Sequence, residues 1–239
     1  MPRRLDPDDA AYPTSLLDLE APPPIDVRGE APPPGPRVAI VGSRRPSVDA
    51  EGFTRRLAAD LARSGATIVS GGALGVDAAA HRGALDAEAP TWVVLAGPVD
   101  APKPERNHAL FTHILASGGG LLAEADRAFR SWELVRRNRL VAALADLLII
   151  VQGDERSGTR HTLEFARALG RTVGAVPWCP WDPRGAVPRA ALATGAFPVD
   201  DAAAVRDRLG LAPPALFEAA PPLLAALDEG PRSEEHTSE

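Results

Sequence analysis

The sequence predicts an α/β fold, namely a Rossmann-like, doubly wound and mainly parallel sheet with helices on both faces. Two observations carry this prediction. From Val38 onward, short apolar segments alternate with amphipathic ones, and the segment at residues 147–151 is too apolar to have a solvated face. Buried strands that alternate with helices are typical of right-handed βαβ crossovers in a sheet covered on both sides.

The predicted strands are short apolar runs that end at glycine, proline or polar residues. They are residues 38–42, 67–70, 92–96, 120–123, 147–151 and 172–176. The predicted helices carry apolar residues on one face, as Phe53, Leu57 and Leu61 do at steps of four. They are residues 48–64, 73–85, 107–116, 134–145 and 159–169. Together these elements predict a core domain at residues 37–200.

The segment before this core, residues 1–36, has a different composition. It contains two proline triplets, at residues 22–24 and 32–34. Such sequences favour extended polyproline conformations. We therefore expect a stiff, proline-rich lead-in that contributes nothing to the core.

Composition and charge exclude several classes of protein. The chain has 239 residues, of which 45% are hydrophobic, and it holds a single cysteine, which rules out an internal disulfide and a cysteine-rich zinc site. No apolar run reaches the roughly 18 residues of a membrane span, and the charged N-terminus lacks a signal core. We expect a cytoplasmic protein with no membrane partner, metal or cofactor. Because the net charge is −6, any nucleic-acid site must be a local basic patch.

Three loops at the predicted carboxyl edge of the sheet are suited to an anion. Ligands bind at this edge of an open parallel sheet, small residues let backbone N–H groups approach a phosphate, and arginine supplies forked donors. The loops contain Gly42, Ser43, Arg44 and Arg45; Gly71, Gly72 and Gly75; and Ser157, Gly158, Thr159 and Arg160. Each alone is compatible with a plain tight turn, but together they predict a phosphate-bearing ligand. Neither a GxxxxGK[ST] nor a GxGxxG motif is present, which argues against an ordinary ATPase or dehydrogenase.

Two further groups of residues belong to this predicted site. Arg136, Arg137, Asn138 and Arg139 lie at the start of a predicted helix, where arginine opposes the helix dipole. They indicate either a solvated basic turn or an anionic partner. Asp77 and His81 are one helical turn apart, which predicts a hydrogen-bonded pair that orders loop 71–75. No nucleophile or metal cluster accompanies them, so we expect no catalytic role.

The ordered motifs resemble the DNA-processing protein A (DprA/Smf) family. The resemblance is carried by residues 38–44, 70–81, 104–107, 120–124, 137–142, 157–159 and 170–177. It implies a non-catalytic protein that binds single-stranded DNA, protects it during natural transformation, loads the RecA recombinase onto it and forms a homodimer. By this resemblance, the three loops would hold DNA phosphates, and Arg137 and Arg139 would line or buttress the same groove.

The chain departs from the family pattern at several positions. Leu134 stands where the family often has an aromatic residue that stacks on a base, so we expect Trp132 or Phe129 to replace it. The family often continues into a C-terminal winged helix. Residues 201–239 are accordingly expected to be a linker and the incomplete start of such a domain. Residues 232–239 match the translation of a sequencing adapter, which predicts a non-native tail.

Two other interpretations remain open. One is a nucleotide-binding or nucleoside-monophosphate-processing protein of the lysine-decarboxylase-like group, which shares the arginine-bearing helix and the GT-containing loop. In that group a glutamate follows the threonine by three residues, whereas here Thr162 holds that position and Glu164 comes two residues later. Two residues turn a helix by about 200°, which argues against hydrolysis. The other is an oligomeric scaffold, which leaves the arginines unexplained.

Overall fold

The computed structural model describes residues 2–214, which form one nine-stranded sheet flanked by helices. The strands are β1 Arg3–Leu5, β2 Ile25–Gly29, β3 Arg37–Val41, β4 Thr67–Gly71, β5 Thr91–Leu95, β6 Gly120–Glu124, β7 Leu147–Ile150, β8 Thr172–Ala175 and β9 Phe197–Pro198. The helices are α1 Val48–Arg63, α2 Val76–Asp86, α3 His108–Ala116, α4 Glu133–Leu144, α5 Thr159–Ala168, α6 Ala186–Ala193 and α7 Ala203–Leu209.

The strand order is β1-β2-β6-β5-β4-β3-β7-β8-β9, and every pairing from β6 to β9 is parallel. The chain builds outward from β3 to β6 and then crosses to β7 on the other side of β3. The strand order therefore reverses between β3 and β7, which is where an open α/β sheet forms its binding crevice. This arrangement confirms the predicted Rossmann-like fold.

Alternation along the strands divides the core between two faces. In β3, Ala39 and Val41 pack into the layer that contains α4 and α5, whereas Val38 and Ile40 pack into the layer that contains α1 and α2. Successive side chains of a strand point to opposite faces. An all-apolar strand such as β3 is thus stable only with helices on both sides. No helix among residues 2–214 is long and apolar enough to cross a membrane.

The prediction that residues 1–36 stay outside the core is wrong. β1 and β2 extend the sheet as antiparallel strands beyond β6, and Leu16 and Ile25 are fully buried. The Tyr12 hydroxyl donates to the Pro23 carbonyl at 2.8 Å. The prolines flank β2 instead of interrupting it, and the alternation of Ile25 and Val27 was the overlooked signal of a strand.

The end of the core also differs from the prediction. The sequence patterns did not predict α6, β9 and α7, and a linker was expected from residue 201. In the structure α7 packs on the sheet, since Ala202 and Val205 belong to the core layer of α1 and α2. The expected winged-helix start and the expected tail, at residues 221–239, lie outside the described residues.

Candidate nucleic-acid interface

A cleft of about 390 Å³ lies at the carboxyl edge of the sheet, where the strand order reverses. Its walls are the loops that follow β3, β4 and β7, together with the first turns of α4. Ten of the residues proposed from sequence line it, namely Gly42, Ser43, Arg44, Arg45, Gly71, Arg137, Asn138, Ser157, Gly158 and Thr159.

The loop after β3 is held by a residue that sequence reasoning missed. Gln152, which is fully buried, accepts from the Ser47 N–H at 3.0 Å and donates to the Ser47 hydroxyl at 3.1 Å. The same hydroxyl caps α1 by accepting from the Ala50 N–H. Gln152 follows the strand β7, so these hydrogen bonds fix the loop after β7 to the loop after β3. Arg44 and Arg45 are left exposed on this fixed loop.

Asp77 and His81, both on α2, hold the loop after β4 in place. The Asp77 carboxylate accepts from the Ala73 N–H at 3.2 Å, and His81 Nε2 contacts the Gly71 carbonyl at 3.1 Å. No hydrogen bond joins Asp77 to His81 within residues 2–214, so the expected pair is wrong. His81 Nδ1 instead meets the Thr91 hydroxyl at 2.8 Å. Both residues do hold the loop, but through separate contacts.

Arg137 is the central cation of the cleft, and its side chain is almost entirely buried. Its Nη1 donates to the Val94 carbonyl at 2.7 Å, and its Nη2 lies 3.9 Å from the Asp77 carboxylate. Burial raises the pKa of Asp77, although the charge of Arg137 opposes that shift. The Nε of Arg137 is buried without a hydrogen-bond partner in the described part of the chain. Arg137 lines the cleft, so its guanidinium places a positive charge there.

Gly71 allows Arg137 to take this position. A Cβ atom at residue 71 would lie 1.7 Å from Arg137 Nη1, so any side chain there would displace the guanidinium. Gly75 has φ +78° and lies under the Ser43 carbonyl, which accepts from the Val76 N–H at 3.1 Å. Glycine at these two positions thus permits close approach of the β3 and β4 loops to their neighbours.

The third wall is the N-terminus of α5. Thr159 is its first residue, and the Ser157 hydroxyl lies 2.9 Å from the Thr159 hydroxyl. Asn138 donates to the Gly158 carbonyl at 3.1 Å, which ties this loop to α4. Unpaired N–H groups and the dipole make a helix N-terminus favourable for an anion.

The cleft is positive although the chain is negative. Four arginines and two aspartates line it, whereas the whole sequence carries −6. Arg44, Arg45 and Arg156 are exposed and form no ion pair with a carboxylate of residues 2–214. These three side chains are thus available to a ligand.

Four of the proposed residues do not line the cleft. Gly72 lines a neighbouring cavity of about 210 Å³, and Gly75 lies behind the β3 loop. Arg160 points along α5 toward Glu164, at 3.5 Å. Arg139 lies on the far side of α4, where its Nη2 donates to Glu124 at 2.6 Å.

Glu124 binds Arg139 and two further arginines near the start of α4. Its carboxylate also accepts from Arg136 at 2.8 Å and from Arg127 at 3.2 Å. Burial acts against the charged form, but the hydrogen bond from Arg136 and the charges of Arg139, Arg136 and Arg127 outweigh it and lower the pKa of Glu124. Arg136 and Arg139 are therefore held by a carboxylate outside the cleft, although one glutamate does not balance the charge of three arginines.

Aromatic side chains flank the cleft at α4. Phe129 and Trp132 are about half exposed. Phe129 and Leu134 line the 210 Å³ cavity, which shares Arg44 and Arg137 with the cleft. Phe129 thus shares a cavity with Leu134, the position at which a stacking aromatic residue was expected.

The carboxylate required by the nucleotide-processing alternative is not in the cleft. Glu164 is more than half exposed and faces Arg160 and His161, whereas Thr162 lines the cleft. No group of three potential metal ligands occurs in the described part of the chain.

Comparisons with known proteins converge on one family. Residues 3–210 match the sequence family described as DNA recombination-mediator protein A. A DprA relative from Mycobacterium tuberculosis is 45% identical over 141 residues, which are 58% of this chain and 36% of that protein. The chain spans between 36% and 55% of the length of the curated relatives it matches.

Two solved structures are similar in fold and sequence. DNA processing protein A from Streptococcus pneumoniae superposes with a TM-score of 0.79 at 27% identity, covering 87% of this chain and 74% of that one. DNA processing protein A from Helicobacter pylori, reported for its single-stranded DNA binding mode, gives a TM-score of 0.75 at 30% identity, covering 87% and 95%.

Proposed function

The chain belongs to the DNA recombination-mediator protein A family, and we propose that it binds single-stranded DNA in the cleft as a recombination mediator. In this proposal the protein protects the strand, loads RecA onto it, acts as a homodimer in the cytoplasm and catalyses no reaction. The family match agrees with the motifs, and the DNA-binding relative from Helicobacter pylori supports the choice of ligand.

The observation that carries the proposal is the positive cleft. Arg44, Arg45 and Arg156 are exposed around the buried Arg137, whose Nε lacks a partner among residues 2–214. Forked guanidinium donors and a helix N-terminus suit phosphate oxygens. Contacts to phosphates are sequence-independent and depend strongly on salt.

The exposed aromatic residues favour a single strand over a duplex. Bases in a duplex are stacked on one another, whereas those of a single strand can stack on Phe129 or Trp132. Such stacking contributes about 1–3 kcal/mol per base and tolerates any sequence. A basic groove beside aromatic side chains is the usual design of a protein that binds single strands without sequence preference.

The test is a titration of a labelled oligo-dT strand at several salt concentrations, with duplex as competitor. We expect salt-sensitive binding that duplex displaces poorly. Arg44→Ala should weaken binding to every sequence and reduce the slope of log K against log salt by about 1, because one phosphate contact is lost.

Arg56→Ala is the matched control, because Arg56 is an exposed arginine on α1 outside the cleft. It should leave the affinity and the slope unchanged. Equal effects of the two substitutions would contradict a phosphate site in the cleft. Failure of the wild-type protein to bind oligo-dT, together with release of free base from a nucleoside monophosphate, would favour the nucleotide-processing alternative.

A further inference from the structure

Exposed apolar side chains concentrate around the cleft. Six large ones are exposed among residues 2–214, and only Leu17 lies away from the carboxyl edge of the sheet. The others are Val48, Phe129, Trp132, Val135 and Trp181. Such a concentration marks a binding surface, since single exposed apolar residues are otherwise scattered. It extends past the cleft on both sides, because Trp181 follows β8 while Phe129 and Trp132 follow β6.

Trp181 is the outermost member of this group, and its side chain is 84% exposed. The loop that carries it is fixed to the body of the protein. Arg189 donates to the Cys179 and Asp182 carbonyls, each at 2.9 Å, on either side of Trp181. The indole of Trp178 donates to the Val151 carbonyl at the end of β7. The ring of Trp181 is therefore presented to solvent by a braced loop.

A continuous surface links this loop to the cleft. A cavity of about 250 Å³ lies beside Pro183 and Arg189 and shares Asp154 and Arg156 with the cleft. Its charged lining consists of Asp154, Glu155, Arg156 and Arg189, two acids and two bases. Because these charges balance, the cavity offers no net attraction to a phosphate. An uncharged group suits this cavity better than an anion.

We propose that Trp181 is a second stacking platform, on which a base of the bound strand stacks after the strand leaves the cleft past Arg156. This inference rests on the proposed function and extends it. It places the strand across the carboxyl edge of the sheet, from Phe129 to Trp181, with its phosphates held in the cleft between them. An aromatic ring accepts any base because every base has a π-face.

The experiment compares oligo-dT strands of about 4 and about 16 nucleotides. Trp181→Ala should weaken binding of the long strand by roughly 5- to 150-fold, the effect of one lost stacking contact. It should leave binding of the short strand in the cleft unchanged. Trp181→Phe should retain the affinity for the long strand but lose part of the tryptophan-fluorescence quenching that this strand produces. Leu17→Ala, a truncation of an exposed apolar residue elsewhere, is the matched control.

Three results would overturn the inference. If Trp181→Ala binds the long strand as tightly as wild type, the ring contacts no base. If the substitution changes the oligomeric state instead of the dependence on strand length, Trp181 is a contact between protomers. If the wild-type protein binds neither strand, the proposed function fails as well. The first two results leave the proposed function intact.

Discussion

The guanidinium of Arg137 occupies the space where a side chain at residue 71 would begin. One residue thus supplies the charge, and the other supplies the room for it. Asp77 lies beside both, yet at 3.9 Å it does not take up every donor of Arg137. The guanidinium of Arg137 is thus only partly paired within the described residues, although its side chain is almost entirely buried.

At the same scale, His81 should make the stability of the protein depend on pH. Burial lowers the pKa of His81 to about 4 from an ordinary value of 6.5. Above pH 6.5 the ring is neutral in the folded and the unfolded chain. As the pH falls toward 4, only the unfolded chain takes up the proton, so stability is lost over that interval, by about 3 kcal/mol in total. Urea unfolding at pH 7.5 and pH 5 should show about 2 kcal/mol of this loss.

The control is His81→Gln, which cannot titrate and should have a flatter pH dependence than wild type. His113→Gln removes an exposed histidine from α3 and should leave the pH dependence as it is. A wild-type slope that persists in His81→Gln would contradict the assignment of the loss to His81.

At the scale of elements, the helix α4 links the cleft to the end of β6. Arg137 faces the cleft, while Arg136 and Arg139 are held by Glu124 at the end of β6. The position of Arg137 therefore depends on the ion pairs that Arg136 and Arg139 form with Glu124. The helix α4 contacts the end of β4 through Arg137 and the loop before α5 through Asn138, so a shift of its first turns would change both walls of the cleft.

Glu124→Gln tests this dependence. It removes the carboxylate that Arg127, Arg136 and Arg139 share, although Arg127 keeps Glu133 at 3.8 Å. We expect the free energy of unfolding at pH 7 to fall by about 1–3 kcal/mol. This is less than for a fully buried pair, because Arg127 and Arg136 remain 35% and 38% exposed. Since the pKa of Glu124 is lowered in the folded state, its contribution is present at neutral pH and lost as the pH falls through that pKa.

Glu164→Gln is the comparison for this variant, because Glu164 also faces two basic side chains but is 58% exposed. Exposed ion pairs contribute little, so its stability should remain close to wild type. Similar unfolding free energies for the two variants would show that the Glu124 cluster does not hold α4.

At the scale of the whole molecule, the N-terminal segment completes the sheet. β2 covers the edge of β6 with a five-residue antiparallel register, from Ile25 opposite Glu124 to Gly29 opposite Gly120. Without it, β6 would expose unpaired backbone groups, and the core around Leu16 would open. The indole of Trp92 also donates to the Glu30 carbonyl at 2.8 Å, which links β5 to the end of this segment.

Two adjacent leucines test the role of this segment. Leu16 is fully buried and belongs to the same core layer as Leu140 of α4, whereas its neighbour Leu17 is 47% exposed. We expect Leu16→Ala to lower the free energy of unfolding by about 2–5 kcal/mol, the range for a buried leucine. Leu17→Ala should change it little. Equal effects in urea unfolding would mean that the segment is not part of the cooperative core.

The sequence by itself determined the fold class and three walls of the cleft. Apolar runs such as residues 147–151 can be stable only in a sheet covered on both faces, and local glycine and serine patterns marked the loops 42–45, 71–75 and 157–159. The apolar runs and the loop patterns both consist of residues that are neighbours in the chain. For this reason they could be recognised in the sequence without the structure.

Only the tertiary structure decided which arginines line the cleft. Arg137 and Arg139 are two residues apart on one helix, yet one lies in the cleft and the other pairs with Glu124. Their roles depend on partners far away in the chain, as do those of Gln152 beneath Ser47 and of β2 beside β6. The charged residues and the apolar alternation of β2 are visible in the sequence. The residues that pair with these charges, or pack against this strand, come together only on folding.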